Sequence, residues 1–341
     1  MTTISEIAKR TGVSVATVSR VLNGYPDVNH ATREKVQRVI AELGYSPGAL
    51  SRARDNAKSM AIGVFYFAGE DGELTHPFFQ DVLNVFKRTV GAQGYDVLFF
   101  SVNSPTGDAE SFEARAKLRN VDGILLASVS RHDPRASSLA ISQIPSMSID
   151  SDIIGARAGY ISSDNLGGAT KAMDFLVSIG HRDIAFVGDK FNTKPGHDRL
   201  VGYQQSLNEN GLEFRPDWVL DGDFSMQGGY HATQRLLSRQ EKPTAIFCAG
   251  DLMAFGAIRA IRDIGMNVGE DVSVVGFDDI AASALVTPAL TTVRQDRQEI
   301  GIQAAESLLK MISDPGNVPP IRTVPTELVI RESAQTPRNQ S

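Results

Sequence analysis

At 341 residues the chain is too long for one ordinary hydrophobic core and suits a small domain joined to a larger, two-lobed one. Its 42% apolar and 22% charged residues exclude a disordered chain, and no apolar run approaches the roughly 18 residues that a membrane-spanning helix requires. The net charge of −6 is unevenly spread: residues 1–60 hold nine Lys and Arg against five Asp and Glu, a net +4 that leaves −10 for the rest. A basic head on an acidic body is the footprint of a chain that touches phosphate at one end only. Met1–Glu6 lacks the basic and apolar regions of a signal peptide, so a cytoplasmic, nucleoid-associated protein is expected. The lone Cys248 sits in the apolar run Ala245–Ala249 and is expected to be a buried structural thiol.

Three short helical patterns come first. One spans about Ile4–Thr11 with Ile4, Ile7 and Ala8 on one face, and Gly12-Val13 make the turn. Ser14 has N-cap chemistry for a second helix that runs to Asn23, burying Val18, Val21 and Leu22 and leaving Val15, Ala16, Ser19 and Arg20 outward. The third, about Ala31–Leu43, stops at Gly44. A tight Gly-containing turn before a helix with a polar outer face is the helix-turn-helix pattern, although any three-helix bundle shares its periodicity. The outward side chains favour a DNA reader. Ser14, Thr17 and Ser19 suit phosphate, Arg20 can fork onto guanine O6 and N7, and Val15 and Ala16 suit thymine methyls.

The string Ile4–Asn23, with Thr32–Pro47 after it, closely resembles the headpiece of the lactose/galactose/purine repressor family. That resemblance implies that Val15, Ala16 and Arg20 read bases while Ser14, Thr17, Ser19 and Asn23 mostly hold the DNA backbone. It also implies a hinge helix that forms on operator binding, enters the minor groove and wedges a leucine between base pairs. Here Arg54 stands at the wedge position, and Leu50, four residues earlier, is a possible substitute. Arg54 is expected to lie along the minor groove or to meet phosphate only.

From Met60 the pattern changes to apolar strands (Met60–Phe67, Asp96–Ser101, Gly123–Ser128, Pro145–Asp150, Ile184–Gly188, Thr244–Ala249, Val272–Phe277) separated by helical patterns such as Phe79–Gln93, Gly168–Gly180, Arg199–Gly211 and Leu252–Gly265. Such alternation predicts an α/β core of parallel sheets flanked by helices, with ligand beyond the carboxyl ends of the strands. The segments His76–Phe79, Asp164–Ala169, Gly180–Ala185, Arg199–Tyr203, Asp251–Gly256, Val275–Asp279, Pro288–Thr292 and Leu328–Ser333 again resemble the same family, whose receptor core is like that of periplasmic sugar-binding proteins. The resemblance implies an all-α helix-turn-helix headpiece (1–46), a hinge helix or linker (47–59), a two-lobed periplasmic-binding-protein-like core (60–335) and a tail (336–341). The chain would cross between lobes near 160, 291 and 324, giving an N-lobe of 61–160 plus 292–323 and a C-lobe of 161–290 plus 325–335.

Carried over residue by residue, the resemblance implies an effector cleft formed by Phe78, Phe79, Asp150, Arg199, Phe224, Gly250, Asp278 and Gln295. An Asp accepting hydroxyls, an Arg donating a fork and an aromatic face suit a small polar ring. Each residue also has a plainer reading: Phe78 and Phe79 as core, Arg199 and Asp278 as a structural ion pair, Asp150 as a cap. Gly250 replaces the asparagine usual in sugar-responsive members, as purine-responsive members do, whereas Asn192–His197 does not resemble the purine-reading segment. The expectation is therefore a repressor responsive to a sugar or sugar derivative, with a nucleobase or nucleoside as the alternative. The partners expected are a pseudo-palindromic double-stranded operator, a small effector and a second copy of the chain as homodimer, with no membrane.

An enzyme is not expected. Gly167–Lys171 has the wrong spacing for a phosphate loop, and there is no Ser-centred elbow or H-E-x-x-H. No cofactor or metal is expected, since His76, His181, His197 and His231 lie apart. A periplasmic-type binding protein and a DNA-bending protein without ligand response are the remaining alternatives; the headpiece counts against the first and the long receptor against the second.

Overall fold

The computed structural model describes residues 4–22, 25, 28–43, 58–67, 74–101, 111–189 and 192–338. The chain divides into two compact units, Met1–Ser59 and Met60–Ser341. In the first, α1 (Ile4–Thr11), α2 (Val15–Leu22) and α3 (His30–Glu42) pack Ile7, Ala8, Val18, Val21 and Val36 into a small core. Gly12 takes φ +66° between α1 and α2, a conformation that costs glycine nothing. Ser14 Oγ then accepts from Thr17 N–H at 3.0 Å, satisfying a donor that the first turn of α2 leaves open. Asn29 Oδ1 does the same for Thr32 N–H at 2.8 Å, which starts α3 one residue before the apolar periodicity does.

The second unit begins with β1 (Ala61–Tyr66), α4 (Pro77–Gly91), β2 (Asp96–Phe100), α5 (Phe112–Leu118), β3 (Gly123–Ala127), α6 (Pro134–Ser138), β4 (Ser146–Ile149) and β5 (Ala158–Ser163). It continues through α7 (Asn165–Ser178), β6 (Ile184–Gly188), α8 (Lys194–Glu209), β7 (Val219–Asp221), α9 (Met226–Leu237), β8 (Ala245–Cys248), α10 (Asp251–Asp263) and β9 (Ser273–Asp278). Last come β10 (Thr291–Gln295), α11 (Arg297–Ser313), β11 (Ile321–Val324) and β12 (Thr326–Val329). Among the described residues these form two six-stranded sheets, ordered β11-β5-β4-β3-β1-β2 and β12-β10-β9-β8-β6-β7. Every pairing is parallel except β10 with β12. Strands β3, β6, β8 and β9 are buried along their whole length, the burial that parallel strands covered on both faces require. Cys248 is among those buried residues, and burial pushes its thiol far above the ordinary range.

The lobe crossings fall later than the sequence suggests. Strand β5 runs on to Ser163 in the first sheet, and β10 pairs with β9, so residues 291–295 belong to the second sheet rather than the first. The crossings sit at Asp164, Asp296 and Pro325. Two of them are helix N-caps: Asp164 Oδ1 accepts from Gly167 N–H and Asp296 Oδ1 from Glu299 N–H, both at 2.9 Å. The strands hidden from pattern reading are short or mixed in composition: Val219–Asp221 has three residues, and Thr291-Thr-Val-Arg-Gln295 offers one apolar residue in five. Within the second lobe α9 and α10 approach closely enough that a Cβ on Gly256 would stand 2.1 Å from the Met226 carbonyl oxygen, a contact only glycine permits. Among the described residues no helix is long and apolar enough to cross a membrane.

Candidate functional site: a cleft between two sheets and a helix-turn-helix

The strand ends of both sheets open on one cavity of about 420 Å³. Phe67 follows β1, Ser128 follows β3 and Asp150 follows β4; from the second sheet Asp189 follows β6, Asp223 and Phe224 follow β7, and Asp278 and Gln295 end β9 and β10. Eight non-glycine residues with positive φ occur among the described residues, and five of them (Ser128, Asp150, Asp223, Phe224, Asp278) line this cavity. Strain of that kind persists only where the surroundings over-determine it, and it gathers at sites that must present side chains at fixed angles.

Arg199 is the centre of the site. It is only 2% exposed. Its Nε donates to Asn165 Oδ1 at 2.8 Å and one Nη to the Ala249 carbonyl at 2.6 Å, while its Cζ lies 3.7 Å from the centroid of the Phe277 ring. Asp278 Oδ1 is 3.8 Å from Arg199 and accepts from Gln295 Nε2 at 2.6 Å. Asn165 in turn donates to Ser162 Oγ at 3.0 Å, and Ser162 donates to Asp150 at 2.8 Å. One polar chain therefore runs from Asp150, after β4 in the first lobe, to Gln295 in the second. Burial opposes the charge on Arg199, and Asp278, Asp150 and Asp251 favour it in that order. Burial likewise pushes Asp150 well above the ordinary carboxylate range against the pull of Arg199, and burial with the charge of Asp278 does the same to Asp251.

Of the residues predicted for the cleft, Phe78, Phe79, Asp150, Arg199, Phe224, Asp278 and Gln295 all line the cavity. Phe78 also belongs to the core of the first lobe, so its two readings coincide. Gly250 does not line it but stands behind: a Cβ there would meet Phe224 Cδ1 at 3.3 Å and Asp278 Oδ2 at 3.7 Å. Arg199 does not open its helix. Thr193 Oγ1 caps α8 by accepting from Gly196 N–H at 3.1 Å, which puts Arg199 in the second turn. Sequence reading also missed Asp189, Asn192, Thr193 and His76 on the cavity wall. Asp189 was findable as the polar residue just past a predicted strand; its carboxylate accepts from Asn192 and Thr193 N–H at 2.9 and 2.8 Å and shapes the loop before α8. The Asn192 carbonyl of that loop accepts from Arg131 N–H at 2.8 Å, a backbone bridge between the lobes. Two lining atoms, Gln295 Oε1 and His76 Nδ1, are buried without a hydrogen-bond partner among the described residues. Burial lowers the His76 pKa, so its ring is neutral at pH 7.

In the first unit α2 exposes Val15, Ala16 and Arg20 on the face away from its core. Ser14 and Thr17 face each other, with their hydroxyl oxygens 2.9 Å apart, and the Arg20 guanidinium lies 5.8 Å from the centroid of the Tyr25 ring. Ser19 is half-buried beside them. Asn23, Leu50 and Arg54 lie outside the described residues.

Residues 3–48 match the family model of bacterial regulatory proteins of the lacI family, and residues 173–334 match that of a periplasmic binding protein-like domain. The HTH-type transcriptional repressor PurR of Histophilus somni is 32% identical over 338 residues, covering 98% of this chain and 100% of its own. That of Haemophilus influenzae is 34% identical over 341 residues, covering 98% and 99%. Among solved structures, a complex of the transcriptional regulator CelR with cellobiose superposes with a TM-score of 0.75 at 30% identity, over 98% of this chain and 100% of that one. The lac repressor dimer bound to operator and the anti-inducer ONPF gives 0.80 at 28%, over 98% and 99%.

Proposed function

From the premise that the chain belongs to the lacI family of bacterial regulatory proteins, and is a DNA-binding transcriptional regulator rather than an enzyme, we propose that its operator affinity is set by a sugar or sugar derivative held between the two lobes. The observation that carries this reading is the balance of the cavity wall: Asp133, Asp150, Asp189, Asp223 and Asp278 against one guanidinium among the described residues, that of Arg199. Carboxylates only accept hydrogen bonds, so the ligand they suit is rich in donors and carries no negative charge of its own. Gln295 Oε1 adds one more acceptor in need of a donor. The rings of Phe78, Phe79 and Phe224 supply the apolar faces on which a sugar ring stacks. A nucleobase or nucleoside is the second reading, favoured by Gly250, which leaves the space beside Phe224 open. Calorimetry with neutral mono- and disaccharides and with free nucleobases distinguishes the two. Saturable binding of a sugar is expected, and binding of a nucleobase with no sugar bound would replace the first reading with the second.

A single helix-turn-helix reads one half-site, so the regulator works as a homodimer on a pseudo-palindrome, in the cytoplasm at the nucleoid. The lac repressor likeness, itself a dimer on its operator, supports this. Val15, Ala16 and Arg20 are assigned to base edges, Ser14, Thr17, Ser19 and Asn23 to the DNA backbone, and Leu50 and Arg54 to the operator centre. Arg20→Ala is expected to weaken operator binding by about 1–3 kcal/mol and to relax preference at one base pair per half-site. Thr17→Ala should weaken all sequences alike. A randomised operator library selected with each variant reads the difference, and a uniform loss for both variants would remove Arg20 from base recognition.

A further inference from the structure

A second cavity, of about 660 Å³, lies against α4 and the two lobe crossovers that follow β10 and β11. Three arginines line it, Arg88, Arg294 and Arg297, together with three acids, Asp81, Asp296 and Glu327. The acids are already engaged. Asp296 caps α11 by accepting from Glu299 N–H at 2.9 Å, Glu327 accepts from Arg294 at 3.2 Å, and Asp81 stands 3.5 Å from Arg297 Nε. Arg294 is also engaged, donating to Asp279 at 2.7 Å. The open valence is cationic. Arg297 keeps its Nη1 buried without a hydrogen-bond partner, and exposed Arg88 makes no ion pair among the described residues. A buried guanidinium N–H left without an acceptor is costly, and the planar fork of arginine matches a carboxylate or phosphate.

We propose that this cavity binds a small phosphate- or carboxylate-bearing anion, held between Arg297 and Arg88. The site differs in charge from the cleft, whose wall is dominated by carboxylates. Both arginines stand on the first lobe, Arg88 on α4 and Arg297 at the start of α11, while Arg294 and Glu327 on the opposite wall come from β10 and β12 of the second. An anion held there faces that second-lobe wall, so it acts on the cleft ligand only as far as it discriminates between lobe arrangements, and that coupling is reciprocal. Gln295 lies on the path, since it lines both cavities and donates to Asp278 on the cleft side.

The test is calorimetric titration of the full-length protein with inorganic phosphate and, separately, malonate, each at ionic strength matched with sodium chloride. Saturable binding is expected for at least one of them, weakened at least tenfold in both R88Q and R297Q. Phosphate alone identifies a phosphate site, malonate alone a carboxylate site, and both together a site that reads charge. Because Arg88 is on an exposed helix face, R88Q decides the matter if R297Q does not fold. No saturation beyond the chloride control, or unchanged affinity in R88Q, overturns the proposal.

Discussion

Replacing Arg199 by methionine is expected to destabilise the two-lobed unit by about 3–5 kcal/mol, the range for stranding buried charge by removing its partner. Methionine approximates the volume and can keep the contact with Phe277, but it restores neither the hydrogen bond to Asn165 nor that to the Ala249 carbonyl. The electrostatic loss is larger. Asp278, Asp150 and Asp251 are each at most 6% exposed, and they surround this one guanidinium. Without it the carboxyls at 150, 251 and 278 lose the cation that favours their charged forms, in a medium that screens poorly. Urea denaturation followed by circular dichroism measures the change, and a loss under about 1 kcal/mol would mean that Arg199 does not hold these charges. The deficit also has a sign with pH. Burial already raises Asp150 and Asp251 above the 3.8 of an unperturbed carboxyl, so the folded form takes up protons before the unfolded chain does. Stability tied to these groups is fully present below the unfolded value and is lost as pH rises through the raised folded values. The Arg199→Met deficit should therefore shrink on acidification from neutral pH toward that unfolded value.

Asp278→Asn is expected to keep the fold and lose the effector. Asparagine matches aspartate in shape and is one of the few residues that tolerate positive φ, so the φ of 124° at position 278 adds little new strain. Arg199 keeps its bonds to Asn165 and Ala249, and the substitution relieves the repulsion between positions 278 and 251. What disappears is the charged acceptor. Truncating one side of a buried, charge-assisted contact costs about 2–5 kcal/mol of binding, or roughly 30- to several-thousand-fold in effector affinity. Operator binding without effector should stay within about twofold, because no DNA contact is assigned to this residue. Effector affinity unchanged in Asp278→Asn would remove the residue from the site.

The contrast between these two variants reflects what a sequence does and does not disclose. The headpiece is legible because its helices are short, amphipathic and marked by local chemistry: the Gly12 turn, the Ser14 cap and the apolar spacing of Val18 and Val21 are all visible in the string. The strands of the α/β core are legible where burial on both faces makes them apolar, as in Ile184–Gly188. They vanish where the chain turns polar at the hinge, as at β10, and the boundary near 291 that the resemblance implies places this strand in the wrong lobe. The cleft residues follow from a resemblance that fixes which strand ends matter, and seven of the eight line one cavity. The helical pattern that starts at Arg199 omits the first turn of α8, because the cap lies at Thr193, six residues earlier and outside the apolar periodicity. No pattern in the string reveals that Asp150, Asp251 and Asp278 converge on one arginine, since Asp150 follows a strand of the first lobe while Asp251 starts a helix and Asp278 ends a strand of the second, each 49 or more residues from Arg199.

Operator affinity measured by fluorescence anisotropy, with and without the sugar that calorimetry finds in the cleft, tests most directly whether the two lobes couple ligand to DNA. A labelled pseudo-palindromic duplex titrated with wild-type protein should shift its Kd by about 5- to 150-fold at saturating sugar. Asp278→Asn should show no shift at the same sugar concentration. A wild-type Kd unchanged at saturation, or an equal shift in Asp278→Asn, would contradict control of the operator through this cleft.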